Sequence, residues 1–283
     1  MPEKWLAVNA DDFGFTRDVN SGIVEAHTRG ILTSTTLMAN GHAFDDAVAL
    51  ARATPSLDVG VHFVLVGGYS LLQPERPLPA TVAALLRAVA LRRIRVYDEL
   101  KAQIERILDA GIRPTHADTH KHTHLFPPVL DAVARLSAEY GIHWVRRPFD
   151  LPLHGSPAQV PWSVRATSRA LASVRARFHR TLARYGCHTT DWFAGFQITG
   201  RFQAADVLRL LHNLPGGTTE FMVHPGFCTG ELRAASTRLK ESRAAELNAL
   251  TDPAVAAAVK ELGVRLAPYP DLPATLSGRS TPR

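Results

Sequence analysis

Short apolar runs alternate with helix-like segments along this chain, and this alternation constrains the fold more than any other feature. Strand-like runs occupy residues 5–8, 32–39, 59–64 and 144–146, while residues 19–29 show helical periodicity. Strands joined by helices pair in parallel. At 283 residues the sequence therefore predicts an α/β fold, specifically a single-domain (β/α) barrel spanning 1–283 that is TIM-like but irregular.

Two adjacent carboxylates, Asp11 and Asp12, follow the first apolar run in the segment Asn-Ala-Asp-Asp-Phe-Gly. The carboxyl ends of parallel strands surround the crevice where α/β folds bind ligands. One carboxylate of such a pair can hold a metal ion while the other moves a proton. The alternative is that Asp11 or Asp12 merely caps the helix predicted from about Val19.

Histidines follow two later strand-like runs. His62 lies near the end of the run 59–64, and the segment 116–124 contains four histidines together with Asp118. On a strand these side chains would share one face, but five polar groups cannot all be buried without partners. Part of the run must therefore lie in a loop or surround an ion. Two histidines and one aspartate leave open positions on a divalent ion, as in catalytic sites, although a lone histidine such as His62 is more often a core residue.

Composition is consistent with one large core. The chain is 46% hydrophobic, with neither a basic-then-apolar leader nor an apolar span near 18 residues, so we expect a cytoplasmic protein. Cys187 and Cys228 lack C-x-x-C spacing, which argues against a disulfide framework or a thiolate zinc site. No feature encodes the oligomeric state, and homodimers are the commonest oligomers.

Positive charge is concentrated in the segment 151–190, which contains six arginines and no acidic residue within a chain of net charge +6. Apolar residues at three- and four-residue spacing predict a basic amphipathic helix, inserted near 155–190. In the ordinary interpretation, the apolar face of this helix packs on the core of the protein. The alternative is peripheral contact with anionic lipid at the inner face of the membrane. Nucleic-acid binding is disfavoured because no known motif accompanies the charge. Residues 277–283 are predicted to be a frayed tail.

Five ordered blocks of the sequence resemble the YdjC-like carbohydrate deacetylases, also called the ChbG/HpnK family. The resemblance extends from about residue 5 to 228 and is specific as a combination. It implies that Asp12, His62 and His120 hold one divalent metal ion, Zn²⁺ or Mg²⁺. It also implies that Asp11 is the catalytic base and that His224 is the candidate acid. The blocks are 8–14, 30–35, 60–65, 114–127 and 223–225.

The same resemblance implies removal of an acetyl group from an N-acetylglucosamine-type sugar. Gly67-Gly68 and the segments 120–122 and 191–195 are closer to the hopanoid-associated HpnK branch, whose substrate is a glycolipid. In contrast, Asp118-Thr119-His120 resembles the Asp-Ser-His of the chito-oligosaccharide branch. The sequence thus favours a hopanoid-linked glycolipid and leaves a chito-oligosaccharide as the alternative.

Two other classes of function remain open. A metal-dependent phosphoesterase could use the same Asp/His set, but such sites often hold two metals, and a second set would have to come from Asp118 with His122 or His124. A non-catalytic glycolipid-binding protein with a degenerate site would have little need for the acidic pair and the histidine run together.

Overall fold

Parallel strands form one curled sheet, which confirms the predicted α/β class. The computed structural model describes residues 2–151 and 161–273, with only the backbone described for 168–172. The strands are β1 (Lys4–Phe13), β2 (Ser34–Leu37), β3 (Asp58–Phe63), β4 (His116–Thr119), β5 (Trp144–Val145), β6 (Trp192–Ala194), β7 (Gly217–Val223) and β8 (Val264–Leu266).

The sheet closes into an irregular barrel. Its strand order is β5-β4-β3-β2-β1-β7-β6, and β8 pairs with the first residues of β1. Isolated parallel bridges from Trp144 to His188 and from Asp150 to Phe193 join the two ends of this order. The strand ends thus surround one barrel mouth, as the prediction of an irregular TIM-like barrel requires.

Helices lie between the strands and cover the outside of the sheet. A 3₁₀ segment, His120–Leu125, follows β4 directly, and a second spans Tyr269–Asp271. The α-helices are α1 (Arg17–Arg29), α2 (Phe44–Ala53), α3 (Val82–Ala90), α4 (Val96–Asp109), α5 (Pro127–Glu139), α6 (Trp162–Ala172), α7 (Arg175–Arg184), α8 (Ala204–His212), α9 (Gly230–Ala234), α10 (Glu241–Leu250) and α11 (Pro253–Glu261).

The start of α1 excludes the capping interpretation of the acidic pair. Thr16 is the N-cap, and its hydroxyl accepts a hydrogen bond from the Val19 N–H at 3.3 Å. This bond satisfies one of the free N–H groups of the first turn. The Asp11 and Asp12 side chains are therefore available for another role.

One local prediction was wrong and another is confirmed. Strand β1 continues through the acidic pair to Phe13, because its later residues still pair with β2, whereas the apolar run predicted a loop from Asn9. Strand β4 ends at Thr119, so the histidines of 120–124 lie on a 3₁₀ segment and not on one strand face. The expectation that part of the run leaves the strand is confirmed.

The basic region contains two helices, α6 and α7, where the sequence predicted one. Phe178 and Leu182 of α7 are buried in the main core, as the ordinary interpretation of the apolar stripe predicts. The start of the predicted insertion, at 155–160, and the predicted tail at 277–283 lie outside the described residues. Among the helices that the structure describes, none has the length and apolar character needed to cross a membrane.

Candidate active site

The two carboxylates of the acidic pair line the same cleft at the barrel mouth. Neighbouring residues on a strand ordinarily point to opposite faces of the sheet. Asp12 has a φ of 70°, in the left-handed region that Asp tolerates better than most residues. This turn of the backbone allows Asp11 and Asp12 to share the cleft while meeting different partners.

We use the name rim cluster for Asp12, His62 and His120 together with Arg243. The Asp12 Oδ1 atom lies 3.4 Å from His62 Nε2 and 3.2 Å from His120 Nδ1, and the two nitrogens are 3.3 Å apart. Asp12 Oδ1 is buried and has no hydrogen bond of acceptable geometry. Residues from the ends of β1, β3 and β4 thus bring three donor atoms around one point.

The spacing of these atoms fits a metal ion. A tetrahedral ion with bonds of about 2.0–2.1 Å separates its ligand atoms by about 3.3–3.4 Å, whereas an octahedral ion at the same bond length separates neighbours by about 2.8–3.0 Å. The observed separations of 3.2–3.4 Å are closer to the tetrahedral value. The rim cluster is therefore a candidate Asp/His metal site.

Burial and charged partners have opposite effects on the pKa values of Asp12 and His62 in the rim cluster. Burial raises the pKa of a carboxyl group, but Arg243, which forms an ion pair with Asp12, and the two imidazoles hold the pKa of Asp12 well below its usual range. Burial alone would lower the pKa of His62, yet Asp118 and Asp12 raise it to about 10. A metal ion at this site would have to displace a proton from His62.

Below the rim, Asp11, Asp118, Arg146 and Glu220 form a second group, which we call the interior network. Arg146 binds Asp11 through two hydrogen bonds of 2.6 and 2.7 Å, and it contacts Asp118 at 2.7 Å and Glu220 at 2.5 Å. The Arg146 side chain is 1% exposed, so it can remain charged only because carboxylates surround it.

The position of Arg146 also determines whether the interior network could bind a metal ion. Asp11, His62 and Asp118 offer a second group of potential ligand atoms within 4.8 Å of one another. The Arg146 Nη1 atom, however, lies 2.7 Å from both Asp11 Oδ2 and Asp118 Oδ2. A guanidinium thus stands where a second cation would be. Its charge outweighs the effect of burial and keeps the pKa of Asp11 below its usual range.

His224 follows β7 directly and lines the same cleft. Its Nε2 atom is 3.9 Å from Asp11 Oδ2, and its Nδ1 atom is 3.9 Å from Glu246 Oε2. Glu246 also accepts a hydrogen bond from the His224 backbone N–H at 2.5 Å. Burial lowers the pKa of His224 to about 4, so the imidazole is neutral at neutral pH.

The other two histidines of the 3₁₀ segment, His122 and His124, lie outside the rim cluster. His124 is fully buried, and its ring nitrogens contact Thr119 Oγ1 at 2.6 Å and the Arg146 carbonyl oxygen at 3.0 Å. His122 packs against Phe196 at 5.5 Å between ring centroids. Lys121 and His122 both have positive φ angles, 56° and 51°. The chain therefore turns sharply after His120.

The structure places all five predicted site residues at the barrel mouth. The sequence did not indicate several of the residues that contact them. Arg146 follows β5, so the rule that strand ends form the site could have identified it. Asp118 belonged to the histidine run without an assigned role. Glu220 lies within β7, and Arg243 lies on α10, where no sequence signal indicated a contact with Asp12.

The cleft above both groups has a volume of about 1410 Å³, which exceeds the range of about 300–1,000 Å³ that is usual for small-molecule sites. It extends from Gly67 and Gly68 past His120 to Val164 of α6 and Arg238. A ligand larger than one sugar ring can enter it.

The fold and the site together define an α/β-barrel protein with a candidate Asp/His metal centre at the carboxyl ends of its strands. The chain belongs to the YdjC-like protein family, which matches residues 5–261. It is also 35% identical over 276 residues to a carbohydrate deacetylase from Geobacillus stearothermophilus, with 95% of this chain and 98% of the relative covered.

Solved structures agree with the fold. A proposed cellobiose-phosphate cleavage protein from Enterococcus faecalis V583 is 25% identical and superposes with a TM-score of 0.73, covering 95% of this chain and 98% of the other. An uncharacterised protein from Agrobacterium tumefaciens C58 is 9% identical with a TM-score of 0.52, over 94% and 88% of the two chains, and shows a similar fold alone.

Proposed function

We propose that this protein is a divalent-metal-dependent N-deacetylase, a hydrolase that cleaves the linear amide C–N bond of an N-acetylglucosamine-type sugar. The observation that carries the proposal is the convergence of Asp12, His62 and His120 beside the separate carboxylate of Asp11. Relatedness to the Geobacillus carbohydrate deacetylase supports the substrate class.

Asp12, His62 and His120 would hold the ion. We propose Zn²⁺, because the separations between the three donor atoms match a tetrahedral ion better than an octahedral one such as Mg²⁺. When bound, the ion supplies a Lewis acid for the acetamide carbonyl and for the attacking water. Arg243 holds the other oxygen of Asp12, which leaves Oδ1 for the ion.

Asp11 would take a proton from the attacking water as the water oxygen bonds to the acetamide carbon. The C–N bond then breaks, and the departing amine needs a proton. His224 is neutral in the free protein, and its Nε2 atom lies 3.9 Å from Asp11 Oδ2. We propose that the proton taken by Asp11 reaches the amine through His224, so that acetate and a free amino sugar leave.

One assay separates the proposed reaction from its alternatives. Acetate and phosphate release are measured on a panel of N-acetylated and phosphorylated sugars, after chelation and after return of Zn²⁺ or Mg²⁺. We expect metal-dependent acetate release, with Zn²⁺ more effective. Phosphate release would instead support a phosphoesterase, which the position of Arg146 disfavours. Neither product would support a binding protein.

The role of His224 has its own test. His224→Ala should lose less activity on an acetyl ester, whose leaving group needs little protonation, than on an acetamide. Equal losses on the two substrates would mean that His224 binds the substrate and does not protonate the leaving group.

For the substrate, we propose a hopanoid-linked glycolipid. The large cleft and the exposed side chains on α6 support a substrate with an apolar part: Val164 lines the cleft, and Trp162 is 78% exposed. Mass spectrometry of products from an N-acetylglucosaminyl hopanoid and from chitobiose, offered in parallel, tests this choice. Deacetylation of chitobiose alone would assign the protein to chito-oligosaccharides.

We further propose that the protein is cytoplasmic and contacts the inner face of the membrane through the basic insertion of α6 and α7. Arg177 and Arg180 are exposed there, and attraction to anionic headgroups is screened within about 10 Å at 0.1 M salt. Replacing both with Gln should weaken salt-sensitive binding to anionic vesicles. The matched control replaces Arg92 and Arg93, which are exposed at the end of α3. Equal binding by both variants would contradict the proposal.

A further inference from the structure

Strand register places Asp118 directly beside His62. The two residues are partners in the parallel pairing of β3 and β4. Asp118 Oδ1 lies 2.6 Å from His62 Nδ1, and both side chains are 1% exposed. With Nδ1 engaged, the other ring nitrogen, Nε2, is the one that faces Asp12 and His120.

Asp118 is itself held by two donors. Its Oδ2 atom accepts a hydrogen bond from Thr36 Oγ1 at 3.1 Å and contacts Arg146 Nη1 at 2.7 Å. The carboxylate is therefore held in one orientation by protein groups alone. Asp118 is also connected to Asp11 through Arg146. Asp118 therefore joins the interior network to His62 of the rim cluster.

His116 provides an internal comparison, because it is another buried histidine on β4. Its Nε2 atom contacts Asn9 Oδ1 and its Nδ1 atom contacts Thr115 Oγ1, both at 2.8 Å. Both nitrogens of His116 thus form hydrogen bonds with neutral groups, and the carboxylate of Asp58 is farther from Nδ1, at 3.6 Å. Neither nitrogen is available to an ion. His62 differs in having a carboxylate on one nitrogen and the rim cluster at the other.

We propose that Asp118 is a positioning residue, which accepts the Nδ1–H of His62 and so directs the Nε2 lone pair toward the ion. A carboxylate in this position fixes the tautomer of a ligand histidine and increases its basicity. This inference rests on the proposed metal-dependent function. It adds that Asp118 and His120, two residues apart, serve the same ion by different means.

The test compares Asp118→Asn with Asp58→Asn. Asp58 is a second largely buried carboxylate, 3.6 Å from His116 Nδ1, and its position is remote from the rim cluster because it pairs with the start of β2. Zn²⁺ affinity is measured by competition with a chelator, and the hydrogen bond of the His62 Nδ1–H by ¹H–¹⁵N NMR of the zinc-bound protein, because a proton shared with a carboxylate resonates far downfield. We expect Asp118→Asn to bind zinc about 10- to 100-fold more weakly and to move the Nδ1–H proton resonance of His62 upfield, while Asp58→Asn leaves both zinc affinity and this resonance unchanged.

If Asp118→Asn does not fold, Thr36→Val provides the second variant. It keeps the charge of Asp118 and removes the Thr36 hydroxyl, which donates to Asp118 Oδ2 and also lies 3.2 Å from His62 Nδ1. It should weaken zinc binding in the same direction by a smaller factor. A folded Asp118→Asn, or a Thr36→Val protein, with unchanged zinc affinity and an unchanged Nδ1–H resonance of His62 would overturn the inference. Failure of the unaltered protein to bind zinc would instead refute the proposed function.

Discussion

The rim cluster and the interior network begin at adjacent residues, Asp12 and Asp11, but they differ in what surrounds each carboxylate. Asp11 forms two hydrogen bonds with a guanidinium, and both are satisfied without any ligand. Asp12 shares one oxygen with Arg243 and leaves Oδ1 unsatisfied between two imidazoles. The difference supports different proposed roles for two neighbours on one strand end, a metal ligand for Asp12 and a base for Asp11.

The two groups also differ in backbone strain. Among the residues that the structure describes, four non-glycine residues have positive φ angles, and three of them, Asp12, Lys121 and His122, lie at the barrel mouth. Such conformations persist where the surrounding structure enforces them, and they are frequent at functional sites. Asp11, Asp118, Arg146 and Glu220 are absent from this set. Strain is therefore concentrated beside the proposed metal site.

The largest effect is expected when one of the three proposed metal ligands in the rim cluster is removed. Replacing Asp12, His62 or His120 with Ala should remove the metal and lower deacetylase activity by about 10³-fold or more, because the Lewis acid supplies several kcal/mol. Metal content by plasma mass spectrometry and acetate release should fall together. Full metal occupancy in His120→Ala would remove that residue from the ligand set, with His122 or His124 as its replacement.

The next effect separates the two groups. Asp11→Asn keeps the shape of the side chain and should leave the metal bound while turnover falls by about 10²- to 10⁴-fold. Asp12→Asn should weaken metal binding, since it removes a charged ligand. Parallel metal titrations and turnover measurements on both variants check this division. Equal loss of metal in the two variants would show that the different roles proposed for Asp11 and Asp12 are wrong.

A smaller effect concerns the charge of the interior network. Burial raises the pKa of Glu220 to about 7 from an ordinary value of 4.5. The folded state therefore binds this proton more tightly than the unfolded state. The resulting stability is fully present below about pH 4.5 and is lost as the pH rises through about 7.

Glu220→Gln removes this titration, so the loss of unfolding free energy between pH 4.5 and 7 should shrink, by up to about 3 kcal/mol. Urea unfolding at several pH values measures this change in unfolding free energy. An unchanged slope in Glu220→Gln would mean that Arg146 keeps Glu220 ionised throughout.

The smallest effect tests the strain at the rim. Lys121 has φ 56° and ψ 27°, which glycine adopts without steric cost. Lys121→Gly should therefore be more stable than Lys121→Ala, which keeps the strain, by about 1 kcal/mol. Thermal unfolding of the two variants measures the difference. Equal melting temperatures would indicate that the turn after His120 carries little strain.

Much of the site could be predicted from the sequence, because its residues stand where strand-like runs end. Asp12, His62 and His120 were all predicted on that basis together with the family resemblance, and the structure brings their donor atoms within 4.8 Å. The path of the histidine run could not be predicted, since period-two alternation does not reveal that β4 stops at Thr119. Nor did periodicity alone reveal the break between α6 and α7.

The sequence by itself determined the class of fold and the kinds of side chain at the barrel mouth, because strand periodicity and strand-end position are local properties of the chain. Only the tertiary structure decided which cation meets which carboxylate. Arg146 reaches Asp11 across 135 positions, and Arg243 reaches Asp12 across 231. Contacts at such separations depend on how the barrel closes and on which side chains burial forces to pair, and no local pattern encodes either.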